Sequence, residues 1–305
     1  MLIPTNNIRH PLSGTGVALV TPFRDGVVDF PALKRIIEFV TDSGVDYLVS
    51  LGSTGESVTL SSDECRAVVD FTLEVNNGRL PVVVGMFGHN NTKQLIDRFK
   101  NFDFTGVDAV LSSSPSYNKP TQEGIFQHYV AVAEHSPVPI IIYNVPGRTS
   151  SNVEAETIVR LAKTNTKFIG VKEATGDIVQ TSHIIKNKPE HFLVLSGDDP
   201  TALSAVACGG DGLISVIANC LPYETSQMIH QALNNNITAA QQYHLQLLNM
   251  HHWLYLEGNP TGLKAAMEIQ GLCTREVRLP LVPFSEKYME SLKAEMELVK
   301  EMAVE

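Results

Sequence analysis

No cysteine in this chain stands in a CxxC pair or beside a histidine at metal-ligand spacing. The four present, Cys65, Cys208, Cys220 and Cys273, are scattered; that excludes a zinc-ribbon pattern or a disulfide framework and reads as reduced, mostly core cysteine of a cytosolic protein. Blocks of Lys and Arg are missing too, and the formal net charge is −10. No nucleic-acid partner is expected, because phosphate backbones need concentrated positive charge. A small anionic substrate is compatible, since one local arginine can hold a carboxylate. No apolar run approaches the roughly 20 residues that cross a bilayer, so the chain is expected to be non-membrane. The opening Met1-Leu2-Ile3-Pro4-Thr5 lacks a basic segment followed by a long apolar stretch, and no export signal is expected. Low-complexity segments are also missing.

What is there suffices for a large core: 305 residues, 43% hydrophobic and 18% charged, with mean hydropathy near zero. That size fits one large α/β domain with an appendage, or two domains. Eight short strand-like runs recur: Val17 to Thr21, Tyr47 to Leu51, Pro81 to Gly85, Ala109 to Ser112, Pro139 to Tyr143, Phe168 to Lys172, Phe192 to Ser196 and Leu213 to Ile217. Helical patterns separate them, which predicts parallel strands joined by crossovers. The runs are apolar almost throughout, so both sheet faces should be covered. Eight units predict a closed (β/α)8 TIM barrel.

Between the runs, Leu33, Ile36, Ile37 and Val40 form one helical stripe that Ser43-Gly44 stops. Ser61-x-x-Glu64 and Ser151-x-x-Glu154 read as capping boxes, and Asp199-Pro200 as an N-cap followed by proline. Strand signals vanish from about Pro222. Leu247, Met250 and Leu254 then share one helical face, as do Tyr288, Leu292, Met296 and Val299. The expected division is a barrel over residues 1–223 carrying the active site and a helical domain over 224–305.

Lys172 ends one apolar run and Tyr143 another. Burying an ammonium favours the free amine that attacks a ketone, and a phenol beside it can shuttle the protons of Schiff-base chemistry. Each has a plainer reading, a lysine snorkelling to solvent and a strand tyrosine with its hydroxyl satisfied. Ser50-Leu51-Gly52-Ser53-Thr54-Gly55-Glu56-Ser57 joins hydroxyls to glycines ahead of a helix, which suits a carboxylate or an ordinary turn; it forms no GxGxxG fingerprint. Arg148, in a Pro-Gly loop, offers a bidentate clamp or a surface charge. Asp198 and Asp199 read as helix caps rather than acid/base groups. His244, His251 and His252 read as a surface helix face without a metal.

Taken jointly, Gly52-Ser53-Thr54-Gly55-Glu56, Tyr143-Asn144-Val145-Pro146-Gly147-Arg148-Thr149 and Gly170-Val171-Lys172-Glu173-Ala174 resemble the dihydrodipicolinate synthase family. The resemblance extends through Ser114-Pro115-Ser116-Tyr117-Asn118-Lys119-Pro120, Ser196-Gly197-Asp198-Asp199 and Gly212-Leu213-Ile214-Ser215-Val216. It implies a pyruvate-dependent class I aldolase fold, a cytoplasmic homotetramer arranged as a dimer of dimers, and a lyase of lysine and diaminopimelate biosynthesis. Pyruvate and L-aspartate 4-semialdehyde would be its substrates, with no metal or organic cofactor.

By that resemblance Lys172 forms the Schiff base and Tyr143 shuttles protons through Ser53 and Tyr117, the last entering a neighbouring subunit's site. Thr54 holds the pyruvate carboxylate, Arg148 receives that of the semialdehyde, and the main chain of Gly197 and Ile214 lines the site. Ser53 stands where threonine is common in the family. Ser62, Cys65, Gln94 and Ser116 depart from the lysine-regulated pattern and imply weak or absent lysine inhibition. The Asn259-Pro260-Thr261-Gly262-Leu263-Lys264 stretch, recurrent in the family, is expected only to pack. The alternative is a sister activity, N-acetylneuraminate lyase or a 2-keto-3-deoxy sugar acid aldolase, which usually lacks the arginine matching Arg148. A non-catalytic keto-acid-binding barrel is a further reading.

Overall fold

In the computed structural model residues 10–302 are described; the opening residues in which no export signal is expected lie outside them. Eight parallel strands close into a barrel: β1 (Gly14–Ala18), β2 (Tyr47–Ser50), β3 (Val82–Val84), β4 (Ala109–Ser113), β5 (Ile140–Asn144), β6 (Phe168–Glu173), β7 (Leu193–Ser196) and β8 (Gly212–Ser215). Each pairs with its sequence neighbours and β1 pairs with β8. A short hairpin, Phe23–Arg24 with Val27–Val28, follows β1.

Strand alternation divides the apolar runs between two cores. Val49, Val83, Leu111, Ile141, Leu195 and Ile214 fill the barrel interior. Leu48, Val84, Val110, Ile140, Ile142, Val171 and Val194 face the helices, meeting Leu33, Ile36, Ile37 and Val40 of the Phe30–Asp42 helix among others. With both faces buried, no polar alternation could survive in the sequence. The same parity sets the chemistry: Ile142 and Val171 point outward, so Tyr143 and Lys172, one residue on, point inward.

The first strand begins earlier than its apolar run, at Gly14. Gly16 faces the interior, where a Cβ would lie 2.1 Å from the Tyr47 ring, so the position must be glycine although glycine is a poor strand former. The Ser61–Glu64 capping box forms as expected, Ser61 Oγ accepting from Glu64 N (3.2 Å) and Glu64 Oε2 from Ser61 N (2.8 Å).

Two other expected caps do not form. Glu154, not Ser151, precedes the Ala155–Thr164 helix and makes no side-chain cap bond, while Ser151 N donates to Thr149 Oγ1. Asp199 opens a 3-10 turn containing Pro200, but its carboxylate crosses to the end of β8. There it accepts from Ser215 Oγ (2.6 Å), Val216 N (2.9 Å) and Ile217 N (3.4 Å). Three donors at a buried strand end outcompete one local amide.

The Pro222–Leu233 helix packs on β1 and β8, and Ile237–Tyr255 packs on it in turn with Thr261–Ile269 and Met289–Met302. Leu247, Met250, Leu254, Leu292, Met296 and Val299 are buried together, with Tyr288 partly buried at their edge. His251 is also buried, contrary to the surface expectation; its Nδ1 has no partner, and burial lowers its pKa. Among the described residues no three His, Cys, Asp or Glu side chains are grouped to hold a metal, and no helix is long and apolar enough to cross a membrane.

Candidate active site

The carboxyl ends of the strands carry the chemistry-bearing residues, as expected for a barrel of this kind. β5 and β6 are aligned so that Tyr143 pairs with Lys172 and Asn144 with Glu173. Inside the barrel Lys172 Nζ lies 4.7 Å from the centre of the Tyr143 ring, with both side chains buried. Lys172 forms no salt bridge with an acidic residue among the described residues, and its Nζ lies over the face of the Tyr143 ring.

On the outer face Asn144 and Glu173 lock the same register, Asn144 Nδ2 donating to Glu173 Oε2 (2.9 Å). Glu173 also accepts from Thr175 N (3.0 Å) and Gln180 Nε2 (3.0 Å). All these donors are neutral, and burial raises the Glu173 pKa against their opposing hydrogen bonds.

Gly197 supplies the room for the lysine. Its amide donates to the Glu173 carbonyl (2.7 Å), and a Cβ there would lie 2.8 Å from Lys172 Cγ and Cε and 2.7 Å from Ala174 Cβ. Ile214 is fully buried in the interior core.

After β2, Ser53–Gly55 form a 3-10 turn, fixed by Thr21 Oγ1 donating to the Gly55 carbonyl (2.7 Å). Thr54 is buried and Ser53 exposed. Glu56, buried in the left-handed region at φ 52°, ends the turn. Its carboxylate takes Lys264 Nζ (2.6 Å) and Arg278 N (3.0 Å), so a buried ion pair ties this loop to the C-terminal helices.

Arg148 lies exposed in the one-turn helix Pro146–Thr149 after β5, and its Nη2 donates to the Asn259 carbonyl (3.4 Å). Tyr117, 91% exposed at φ 67°, is held by its amide donating to the Thr149 carbonyl (3.1 Å). Among the described residues no hydrogen bond joins Ser53 or Tyr117 to Tyr143, so the expected relay is not closed within one chain.

The structure thus brings Lys172, Tyr143 and Gly197 into contact and joins Thr54 to Arg148 through Asn259, whose Nδ2 donates to Thr54 Oγ1 (3.1 Å). That corrects the expectation that the Asn259–Lys264 stretch only packs: its two ends touch the site loops. No local pattern in the sequence signals these contacts, because the partners Thr54 and Glu56 lie 205 and 208 positions away.

Comparison with known proteins agrees with this geometry. The Dihydrodipicolinate synthetase family matches residues 11–299. The 4-hydroxy-tetrahydrodipicolinate synthase of Flavobacterium psychrophilum is 52% identical over 274 residues, 90% of this chain and 93% of that protein. That of Cytophaga hutchinsonii is 47% identical over 296 residues, 96% and 99% of the two chains. The crystal structure of dihydrodipicolinate synthase from Thermotoga maritima superposes with a TM-score of 0.92 at 37% identity, over 97% of this chain and 100% of that one. This chain belongs to the dihydrodipicolinate synthetase family.

Proposed function

We propose that the protein condenses pyruvate with L-aspartate 4-semialdehyde to 4-hydroxy-tetrahydrodipicolinate, as a Schiff-base-forming lyase of lysine and diaminopimelate biosynthesis. Lys172 Nζ adds to the pyruvate carbonyl, and loss of water leaves an iminium. That cation is an electron sink, so the methyl group gives up a proton to the nearby base and becomes an enamine, which attacks the aldehyde carbon as the aldehyde oxygen takes up a proton. The product's amino group then displaces Lys172 by transimination, closing the ring and releasing the amine.

The observation carrying this reading is the Tyr143–Lys172 register pair, with Lys172 Nζ 4.7 Å from the ring centre and both side chains buried. In it Tyr143 moves the protons of carbinolamine formation and collapse, relayed by Ser53 and by Tyr117 of a second copy. Thr54 and the neighbouring amides hold the pyruvate carboxylate, Arg148 holds that of the semialdehyde, and the backbone of Gly197 and Ile214 lines the reacting centre. The exposure of Tyr117, 91% in the single chain, supports its burial against another copy, and the resemblance to the family implies a homotetramer built as a dimer of dimers. We assign the active site to a barrel of residues 1–223, the helical domain to 224–305, and the protein to the cytoplasm.

The sister aldolases are not favoured, since the relatives named above are synthases and Arg148 stands in the loop where a second carboxylate must be met. A coupled assay offering aspartate semialdehyde, sialic acid and keto-deoxy sugar acids in parallel tests the substrate assignment. Turnover of the semialdehyde is expected; turnover of a sugar acid alone would refute it.

A further inference from the structure

One residue of the C-terminal helical segment reaches both carboxylate-binding positions. Asn259, 9% exposed, donates from Nδ2 to Thr54 Oγ1 (3.1 Å), and its carbonyl accepts from Arg148 Nη2 (3.4 Å). Thr54 is 3% exposed.

A threonine hydroxyl has one O–H to donate and two lone pairs to accept with. The Asn259 amide nitrogen can only donate, so it occupies a lone pair of Thr54 Oγ1 and leaves the Thr54 hydrogen unclaimed. No acceptor among the described residues takes it. Asn259 Oδ1 is buried without a partner; turning the amide over would bury an unpaired NH2 there instead, and buried orphan N–H groups are the rarer arrangement. A hydroxyl with a donor already on one lone pair and its hydrogen free is set to donate to an anion.

We propose that Asn259 is a positioning residue that fixes Thr54 as a hydrogen-bond donor to the keto-acid carboxylate; this rests on Thr54 binding that carboxylate. The geometry separates this role from loop anchoring, because the Lys264–Glu56 pair (2.6 Å) holds the same loop independently. Removing the amide therefore frees the hydroxyl rotor while leaving the loop tied down.

The test uses the full-length protein with Asn259→Ala, Asn259→Asp and Thr54→Val, measuring KM for pyruvate and for its neutral methyl ester, kcat, and the thermal midpoint. Asn259→Ala is expected to raise KM for pyruvate on the order of 10- to 100-fold, the effect of one hydrogen bond to a charged group. The change in kcat should be smaller, and the methyl ester largely unaffected. Asn259→Asp should be worse, because a carboxylate can only accept, turns the Thr54 O–H toward itself and adds like charge. Asn259→Ala in a Thr54→Val background should add little.

An unchanged KM for pyruvate in a folded Asn259→Ala protein would overturn the proposal, as would parallel rises for pyruvate and the ester. Asn259→Ser carries the same expectation should the alanine variant fail to fold. A wild-type protein giving no borohydride-trapped pyruvate adduct would instead defeat the underlying reading, a result distinguishable from these.

Discussion

Gly197→Ala places a methyl group against the stem of Lys172, the proposed Schiff-base lysine. The glycine is outside the left-handed region, so the substitution adds volume without backbone strain, and the new Cβ would sit 2.8 Å from both Lys172 Cγ and Cε. Ordinary carbon contacts lie at about 3.5–4.0 Å, so the stem must retreat by about 1 Å. A displacement of that size at a reacting group costs on the order of 100-fold in rate, and the overpacking itself costs about 1–3 kcal/mol of stability. The assay is kcat for the condensation beside the rate of borohydride-trappable adduct formation with pyruvate, with denaturant unfolding measured on the same protein. Gly170→Ala is the comparison: a Cβ there would lie 2.9 Å from Leu193 Cβ and its carbonyl oxygen, deeper in the same barrel but away from the amine. It should lose comparable stability and much less rate. Wild-type kcat in a folded Gly197→Ala enzyme would refute the reasoning, because the lysine would then be free to stand elsewhere.

Three further outcomes follow from the geometry. Lys264→Met leaves the buried Glu56 carboxylate with no cation and should cost about 3–5 kcal/mol in denaturant unfolding; burial lowers the Lys264 pKa, against the opposing pull of Glu56. A cost below about 1 kcal/mol would mean the pair does not tie the site loop to the helices. His128 is held neutral, its pKa pushed down to about 4 chiefly by burial and secondarily by His89. The unfolded chain takes up a proton near the ordinary histidine value of about 6.5 and the native one does not until about 4, so this group's contribution to stability is present above that upper value and lost as pH falls between the two. Up to about 3 kcal/mol is at stake, and His128→Gln should flatten that part of the stability profile; parallel profiles for the two proteins would contradict it. Finally, Ser62, Cys65, Gln94 and Ser116 depart from the lysine-regulated pattern that the family resemblance implies, so we expect activity to persist in millimolar lysine; half-loss at sub-millimolar lysine would count against that.

The barrel was legible because its energetics are local in sequence. Runs such as Ile140-Ile141-Ile142 are apolar on both faces and end at the functional mouth, and the stripe Leu33, Ile36, Ile37 and Val40 buries one helix face as its spacing requires. The positions of Lys172 and Tyr143 at neighbouring strand ends were legible for the same reason: each is a polar residue closing an apolar strand. What escaped the sequence depends on distant partners. Asp199 resembles a cap beside Pro200 but answers to Ser215, Val216 and Ile217 at the end of the neighbouring strand, β8. Ser151-x-x-Glu154 matches a capping box, yet Thr149 holds Ser151 and the helix starts later. Asn259 lies 205 positions from Thr54, and no local pattern could announce that a polar segment between two helices would meet the loop after β2. The start of β1 was missed because Gly14 and Gly16 serve packing against Asp46 and Tyr47 rather than strand propensity.

Treating the protein with pyruvate and borohydride, followed by peptide mass spectrometry, interrogates the covalent chemistry itself. One reduced pyruvyl adduct on Lys172, lost in Lys172→Ala and slowed in Tyr143→Phe, is the expected result; a chain left unmodified, or labelled at another lysine, would contradict it.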